Sequence, residues 1–451
     1  MDKVFYIKHV RDRLNAVGPG FCTMKWLHQT LYLHTGDNHS CYHPRPHHIS
    51  LDEIAADPSA LHNTSWKKEQ RKTMLEGGRP DECYYCWNIE DLPGEHISDR
   101  MIHSASVYST PHIEEIAQMP WDRNINPKYL EVSFGNGCNF RCGYCCPQAS
   151  TMWMEEVKRH GNYDLTYNQY GIDFLKNGTY YGPKDENPYI EAFWKWWPSL
   201  KNSLHTLRIT GGEPLMNPGA MQFFDLLEKE PAPELEITLN SNLGVSFEKV
   251  DRLIERVRSL QDGGKIRKFS FFTSIESWGP QAEYMRTGLN CDHWERNMTA
   301  MLDVVDRVGF MCTYNVLAVT NFTKLLEKTI EWRKKYGKHR FNLDTPYLKE
   351  PPHWMIKILP DEFIPYFDQT LKFYEDNMEY FHDVEYEKFK RVADFMKDHS
   401  MSEEAIRRGR RDFYSFFTEN DRRLGTNLLE TFPEYTDFYY MCKDVYNNYD
   451  K

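Results

Sequence analysis

Alternation of apolar and polar residues marks six strand-like runs: Tyr129–Phe134, His205–Thr210, Leu235–Asn242, Arg267–Ser277, Phe310–Val319 and Arg340–Leu343. Helical spacing fills the intervals between the later ones, as at Trp294–Val308 and Asn321–Tyr336. Strands alternating with helices predict a parallel α/β sheet, and six strands are fewer than the eight of a closed barrel. Upstream, Thr30–His34 alternates like a strand and Thr35-Gly36-Asp37-Asn38 supplies turn residues, which predicts a hairpin. Asn63–Leu75 reads as a helix capped at Ser65 and stopped by Gly77-Gly78. Residues 151–200 are aromatic-rich and end in Phe193-Trp194-Lys195-Trp196-Trp197-Pro198; an inserted helix packed on the sheet accounts for them, and a substrate-contacting lid is the alternative. Leu92–Ile125 has no strong period and reads as a linker. After Pro351-Pro352, Leu359-Pro360-Asp361-Glu362 opens a helix with Phe363, Phe367, Leu371 and Tyr374 on one face. Further helices are expected at Tyr386–Lys397 and Ser402–Asn420, forming an amphipathic layer over the open side of the sheet. The organisation expected is therefore 1–95, a linker at 96–125, a sheet domain at 126–350 and a helical part at 351–451.

Composition narrows the class. A chain of 451 residues with 40% hydrophobic and 15% aromatic residues has ample material for folded cores. Its net charge of −11 argues against a nucleic-acid partner, and the basic run Arg407–Arg411 reads as a solvated helix face. No apolar run reaches the roughly 18 residues of a bilayer span, and the first residues lack a signal-peptide core, so a cytoplasmic location without membrane contact is expected. Eleven cysteines are an odd number, and seven of them fall into two groups, which fits metal ligation in a reducing compartment better than a disulfide framework.

One group is Cys138-x3-Cys142-x2-Cys145, on the loop after the run Tyr129–Phe134. Three thiolates from one short loop can hold three irons of a [4Fe–4S] cluster and leave the fourth iron open. A zinc knuckle or three buried thiols satisfies the same spacing. Cys146 reads as a bystander. The other group, Cys22, Cys41, Cys83 and Cys86, combines a pair at the ends of the hairpin with a CxxC, which suits a tetrahedral zinc or a fully ligated [4Fe–4S] cluster; spacing alone favours zinc. His43, His47 and His48 read as loop residues in a Pro-broken turn, with metal ligation as the alternative. Strand ends downstream carry polar groups: Gly211-Gly212-Glu213-Pro214, Asn240-Ser241-Asn242, and Ser274 with Glu276 on one face, followed by Arg286. Each alone is an ordinary turn.

The triplet with an aromatic, Tyr144, before its third cysteine resembles the signature of radical S-adenosylmethionine (SAM) enzymes. About 70 residues later Gly211-Gly212-Glu213-Pro214 follows a strand, as does the family motif that holds the SAM amino group. Ser274-Ile275-Glu276 with Arg286-Thr287-Gly288 is similar to the family's Ser-Ile-Asp and Arg-Gly, with Glu for Asp and an inserted Thr. The resemblance implies a partial (β/α)6 barrel in which Cys138, Cys142 and Cys145 ligate the reducing cluster. It implies that Tyr144, Gly211, Gly212, Glu213, Pro214, Asn240 and Ser241 line the SAM site. Ser274 and Arg286 would contact the SAM carboxylate, and Glu276 the ribose. The open iron would chelate SAM, and one electron from a flavodoxin- or ferredoxin-like reductant would cleave it to a 5′-deoxyadenosyl radical. Cys22, Cys41, Cys83 and Cys86, with the glycine between the first two, resemble the Twitch module, relative of the SPASM domain, which holds an auxiliary [4Fe–4S] cluster; here it precedes the barrel.

The expectation is a radical SAM oxidoreductase or modifying enzyme in which the auxiliary cluster accepts an electron from the substrate radical. Family analogy leans toward a peptide or protein substrate. A small-molecule dehydrogenase is the alternative, and a zinc-binding interaction protein is the rival from another class. No catalytic acid or base can be singled out.

Overall fold

The computed structural model describes residues 3–91, 94–177, 179–398 and 401–449; the expected segment limits at Met1 and Lys451 lie outside them. The described residues form eleven strands: β1 (His28–Tyr32), β2 (Asp37–His39), β3 (His47–His48), β4 (Tyr129–Ser133), β5 (Arg141–Cys142), β6 (Thr206–Thr210), β7 (Ala232–Ser241), β8 (Ile266–Ser274), β9 (Arg286–Thr287), β10 (Val308–Met311) and β11 (Phe341–Asp344). The chain divides into two compact units, one of residues 1–135, 177–239 and 259–269, the other of 136–176, 240–258 and 270–451. Mostly parallel strands with interspersed helices and a helical C-terminal region place it in the α/β, partial-barrel class expected.

In one unit β1, β4, β6 and β7 are parallel neighbours, with Tyr129 opposite both His28 and Thr206, and Thr206 opposite Glu236. The expected hairpin exists: β1 pairs antiparallel with β2, and β2 with β3, around Gly36 at φ +69°. Its parallel pairing with β4 was not foreseeable from its length. Leu31, Leu130, Val132, Leu207, Ile209, Ile237 and Leu239 alternate onto one face and are all fully buried. The helix Ser65–Leu75 is capped one residue earlier than expected, by Thr64, whose hydroxyl accepts from Lys67 N–H. The stretch read as a linker carries the helices Asp99–Ser104 and Ile113–Ala117, too short to show a period. Ile113 and Ile116 are buried with Val10, Leu14, Phe21, Met24, Trp26 and Met74.

In the other unit β8 pairs in parallel with β10, and β10 with β11. The run expected to continue to Val319 leaves the sheet after Met311, where Asn315 turns the chain by accepting from Leu317 N–H. Helices Ile364–Asp376, Asp383–Lys397 and Glu403–Leu424 match the expected C-terminal helices, and Thr436–Asn447 adds one more. Arg333 and Glu385 form a buried ion pair, Nη2 to Oε1 2.6 Å, that ties Phe322–Tyr336 to Asp383–Lys397. No helix among the described residues is long and apolar enough to cross a membrane.

Candidate active site

The cysteine triplet sits in a loop that its own unit braces through the backbone. Ser150 Oγ donates to Phe140 O at 2.9 Å, Trp153 Nε1 to Cys142 O at 2.9 Å, and Tyr170 Oη to Gly143 O at 2.8 Å. Asn139 donates to Gly244 O at 2.8 Å and accepts from Asn242 Nδ2 at 2.9 Å. Three glycines are fixed by close approach. A Cβ on Gly143 would lie 2.2 Å from the Trp354 ring, one on Gly244 2.1 Å from Phe140, and one on Gly288, at φ +108°, 2.8 Å from the same ring. The helix Thr151–His160 and Tyr170 thus buttress the loop from behind.

N–H groups are directed at two of the triplet's sulfurs. Phe140 N–H and Asn242 Nδ2 approach Cys138 Sγ at 3.4 and 3.6 Å, and Arg286 Nη1 approaches Cys142 Sγ at 3.4 Å. Thiolates accept such bonds far better than thiols, so the donor set fits cysteinate ligands of a metal cluster. Burial pushes the Cys142 thiol up and Arg286 pulls it back toward the anion. Cys146 is hydrogen-bonded to Cys145, which lowers it with help from the backbone of Ala149 and Gln148 while Cys145 is raised.

Glu276 does not extend strand β8, which ends at Ser274; it lies in the following turn, so the period-two reading of the pair fails at that step. Fully buried, Glu276 takes Arg286 Nε at 2.7 Å on Oε2, and on Oε1 the Tyr144 hydroxyl at 2.7 Å together with Arg286 Nη2. The same unit holds Asn240, Ser241 and Ser274. Ser241 Oγ accepts from Leu243 N–H at 3.1 Å, supporting the left-handed Leu243 at φ +57°.

Gly211 to Pro214 belong to the sheet unit of β4 and β6. Gly211 has φ +129°, and a Cβ there would meet Gly135 O at 2.6 Å, so glycine is required where the ends of β4 and β6 touch. Gly212 N–H donates to Gly135 O at 3.2 Å. Glu213 is fully buried and accepts from Leu215 N–H at 3.0 Å.

That unit also brings the four upstream cysteines to one cavity, shared with Met24, His43, Trp87, Asp99, Arg100 and His103. The N–H groups of Met24, His43 and Arg100 favour the anions of Cys22, Cys41 and Cys86, and the Lys25 ammonium that of Cys83. Burial works the other way, raising Cys41 to about 12 and Cys86 to about 11. Four sulfurs each facing a donor around one cavity fit a four-cornered cluster. Among the described residues no three or more His, Cys, Asp or Glu side chains converge as they stand on a single-ion position. His43, partly exposed in its loop, lines this cavity, hydrogen-bonds Asp99 and stacks on Tyr85 at 3.7 Å, whereas His47 and His48 form β3.

Sequence reasoning missed a polar wall on the other face of this sheet. Its register aligns His28, Thr30, Tyr129, Glu131, Ser133, Thr206, Arg208 and Thr210 on one side. Arg208 and Glu131 pair at 3.7 Å, Tyr42 donates to Tyr129 at 2.9 Å, and His28 stacks on Tyr129 at 4.6 Å. Both His28 ring nitrogens and Thr30 Oγ1 are buried without a hydrogen-bond partner among the described residues. The strict polar–apolar alternation of these runs was the available signal.

The family model described as Radical SAM superfamily matches residues 132–332. Among curated proteins, the GTP 3',8-cyclase of Sulfurimonas denitrificans is 23% identical over 221 residues, covering 48% of this chain and 54% of that protein. The GTP 3',8-cyclase of Hydrogenovibrio crunogenus is 31% identical over 123 residues, 27% of this chain and 28% of that protein. The chain thus spans about half or less of the length of these relatives. Among solved structures, Streptococcus suis SuiB has a TM-score of 0.33 at 14% identity, with 68% of this chain and 58% of that chain covered. Its complex with precursor peptide SuiA scores 0.31 at 13% identity, covering 71% and 62%. Residues 132–332, which hold the cysteine triplet and the strand-end motifs after it, form a radical SAM superfamily domain.

Proposed function

We propose that this chain is a two-cluster radical SAM enzyme that abstracts hydrogen from a polar substrate and passes the substrate's remaining electron to an auxiliary cluster. The observation that carries the reading is the set of N–H donors on two of the triplet's sulfurs, Phe140 and Asn242 on Cys138 and Arg286 on Cys142. In it Cys138, Cys142 and Cys145 hold a [4Fe–4S] cluster, and Cys22, Cys41, Cys83 and Cys86 hold another. When bound, the triplet's cluster with SAM supplies the 5′-deoxyadenosyl radical that starts the chemistry.

The chain's own residues do the rest. Tyr144, Asn240, Ser241 and Ser274 are assigned to SAM binding within their own unit, where Glu276 and Arg286 stand as an ion pair; Gly211 to Pro214, in the other unit, carry the motif that resembles the family's SAM-binding turn, Gly211 letting a ligand approach the backbone closely. The polar wall with Glu131, Arg208, Tyr129 and the unpartnered His28 orients substrate through hydrogen bonds. Trp153, Tyr170 and Trp354 keep the cysteine loop rigid and shield it from water. The four-cysteine site, fully cysteine-ligated, suits electron transfer, so the net reaction is an oxidation or a bond formation to an oxidised carbon. This reading takes the enzyme as cytoplasmic, supported by eleven cysteines with no disulfide between them, and as served by a flavodoxin- or ferredoxin-like reductant.

For the substrate, resemblance of the four-cysteine module to Twitch supports a peptide or protein side chain. The curated relatives named GTP 3',8-cyclase favour a second reading, a small polar molecule. Incubation of the reconstituted enzyme with SAM and either the protein or the small-molecule fraction of an extract, read by mass spectrometry, separates the two. Replacing Cys22, Cys41, Cys83 and Cys86 by Ala should leave about four irons per chain and SAM cleavage intact while abolishing the oxidised product. Full product formation in that variant contradicts the electron-accepting role.

A further inference from the structure

The guanidinium of Arg286, expected at the SAM carboxylate, is engaged elsewhere in the structure. Strands β5 and β9 pair antiparallel with Cys142 directly opposite Arg286. This register brings Nη1 within 3.4 Å of Cys142 Sγ. The other edge of the guanidinium, Nε and Nη2, is clamped by the two oxygens of Glu276. Arg286 is 5% exposed and Glu276 fully buried, and the Tyr144 hydroxyl fixes Glu276 from the next cysteine's side of the loop at 2.7 Å. The ion pair is neutral as a whole, but it is oriented: the positive end meets the sulfur and the carboxylate stands behind it.

We infer that Arg286 is a positioning residue for the triplet's cluster, donating to the Cys142 sulfur and raising the potential at which the cluster accepts its electron, with Glu276 and Tyr144 holding it in place. The inference rests on the reading of Cys138, Cys142 and Cys145 as cluster ligands. Reduction adds one negative charge to the cluster and its sulfurs without making or breaking a bond. A donor and a positive charge on one of those sulfurs stabilise the reduced form more than the oxidised one. Burial strengthens the effect, because little water intervenes to screen it. The device works before SAM arrives, which distinguishes it from a contact to the SAM carboxylate.

The test is a redox titration of the reconstituted full chain without SAM, followed by electron paramagnetic resonance. The relevant signal is the one that later SAM addition perturbs. Arg286→Lys keeps the charge but loses the fork, and Arg286→Gln/Glu276→Gln removes both charges so that neither is left buried alone. Both should hold the wild-type iron content and show a midpoint displaced to more negative potential, the double variant further. An unchanged midpoint in either iron-loaded variant overturns the inference. Should the variants not load, the wild-type chain grown with guanidino-15N arginine decides. Electron–nuclear double resonance of its reduced SAM-responsive cluster should show a 15N coupling, and absence of that coupling overturns the inference. A wild-type chain that loads no SAM-responsive cluster would instead sink the ligand reading beneath it.

Discussion

Lys25 and Glu82 form an ion pair beside the four-cysteine cavity, with Lys25 only 2% exposed and Glu82 13%. Each stands close to a cysteine in sequence, Glu82 immediately before Cys83 and Lys25 three residues after Cys22. The pair therefore ties the CxxC end of the site to its hairpin end. Removing one partner strands the other charge away from water. Lys25→Met should cost about 3–5 kcal/mol in anaerobic urea unfolding, and Lys25→Met/Glu82→Leu should regain most of it. Equal stability of the single and double variants would show that the pair adds nothing.

Gly143 is constrained by packing alone, since its φ is not in the left-handed region and a Cβ would lie 2.2 Å from the Trp354 ring. Gly143→Ala should destabilise by about 1–3 kcal/mol through overpacking and lower the iron content by shifting the backbone between Cys142 and Tyr144. Trp354→Leu should restore part of both. Failure of the second change to rescue the first would mean that Trp354 is not what the methyl group meets.

Cys146 is hydrogen-bonded to Cys145 but is the fourth cysteine of a loop in which three suffice. Cys146→Ser should keep iron content and SAM cleavage close to wild type, while Cys138→Ser, Cys142→Ser and Cys145→Ser should each remove the cluster. Iron analysis of the four variants checks this directly. Loss of iron in Cys146→Ser alone among Cys145 and Cys146 would transfer the ligand role.

Acid sensitivity has an identifiable contributor in His353, buried completely and bonded to the Tyr170 hydroxyl at 3.0 Å. Burial lowers it from 6.5 to about 3. The unfolded chain thus takes up a proton below pH 6.5 that the folded chain refuses until about pH 3. Its contribution to stability is complete above pH 6.5 and declines as pH falls from there toward 3. His353→Gln, which cannot titrate, should flatten part of that decline in urea unfolding between pH 7 and pH 5. An identical slope in the variant would rule His353 out.

The cysteines and glycines of the candidate site were legible because their residue types stand at distinctive intervals. Three cysteines within eight residues, and glycines where β4 and β6 end, leave their trace in any reading of the chain. What stayed hidden depends on tertiary contacts. The hairpin strand His28–Tyr32 carries no mark that its free edge pairs with Tyr129–Ser133, because parallel pairing joins segments about a hundred residues apart without a local turn. The helices Asp99–Ser104 and Ile113–Ala117 are shorter than two turns, below the length at which a period emerges. Glu276 reads as a strand residue by alternation with Ser274, but it lies past the last ladder bond of β8. There it serves Arg286 and Tyr144, an arrangement that no spacing rule encodes.

Whether the triplet holds a cluster whose open iron activates SAM is decided by anaerobic reconstitution with iron counting and assay of 5′-deoxyadenosine under dithionite. The expected result is about eight irons per chain from two four-iron clusters, with 5′-deoxyadenosine formed only when SAM is present and lost in Cys142→Ser. A colourless, zinc-loaded protein that forms none would contradict it.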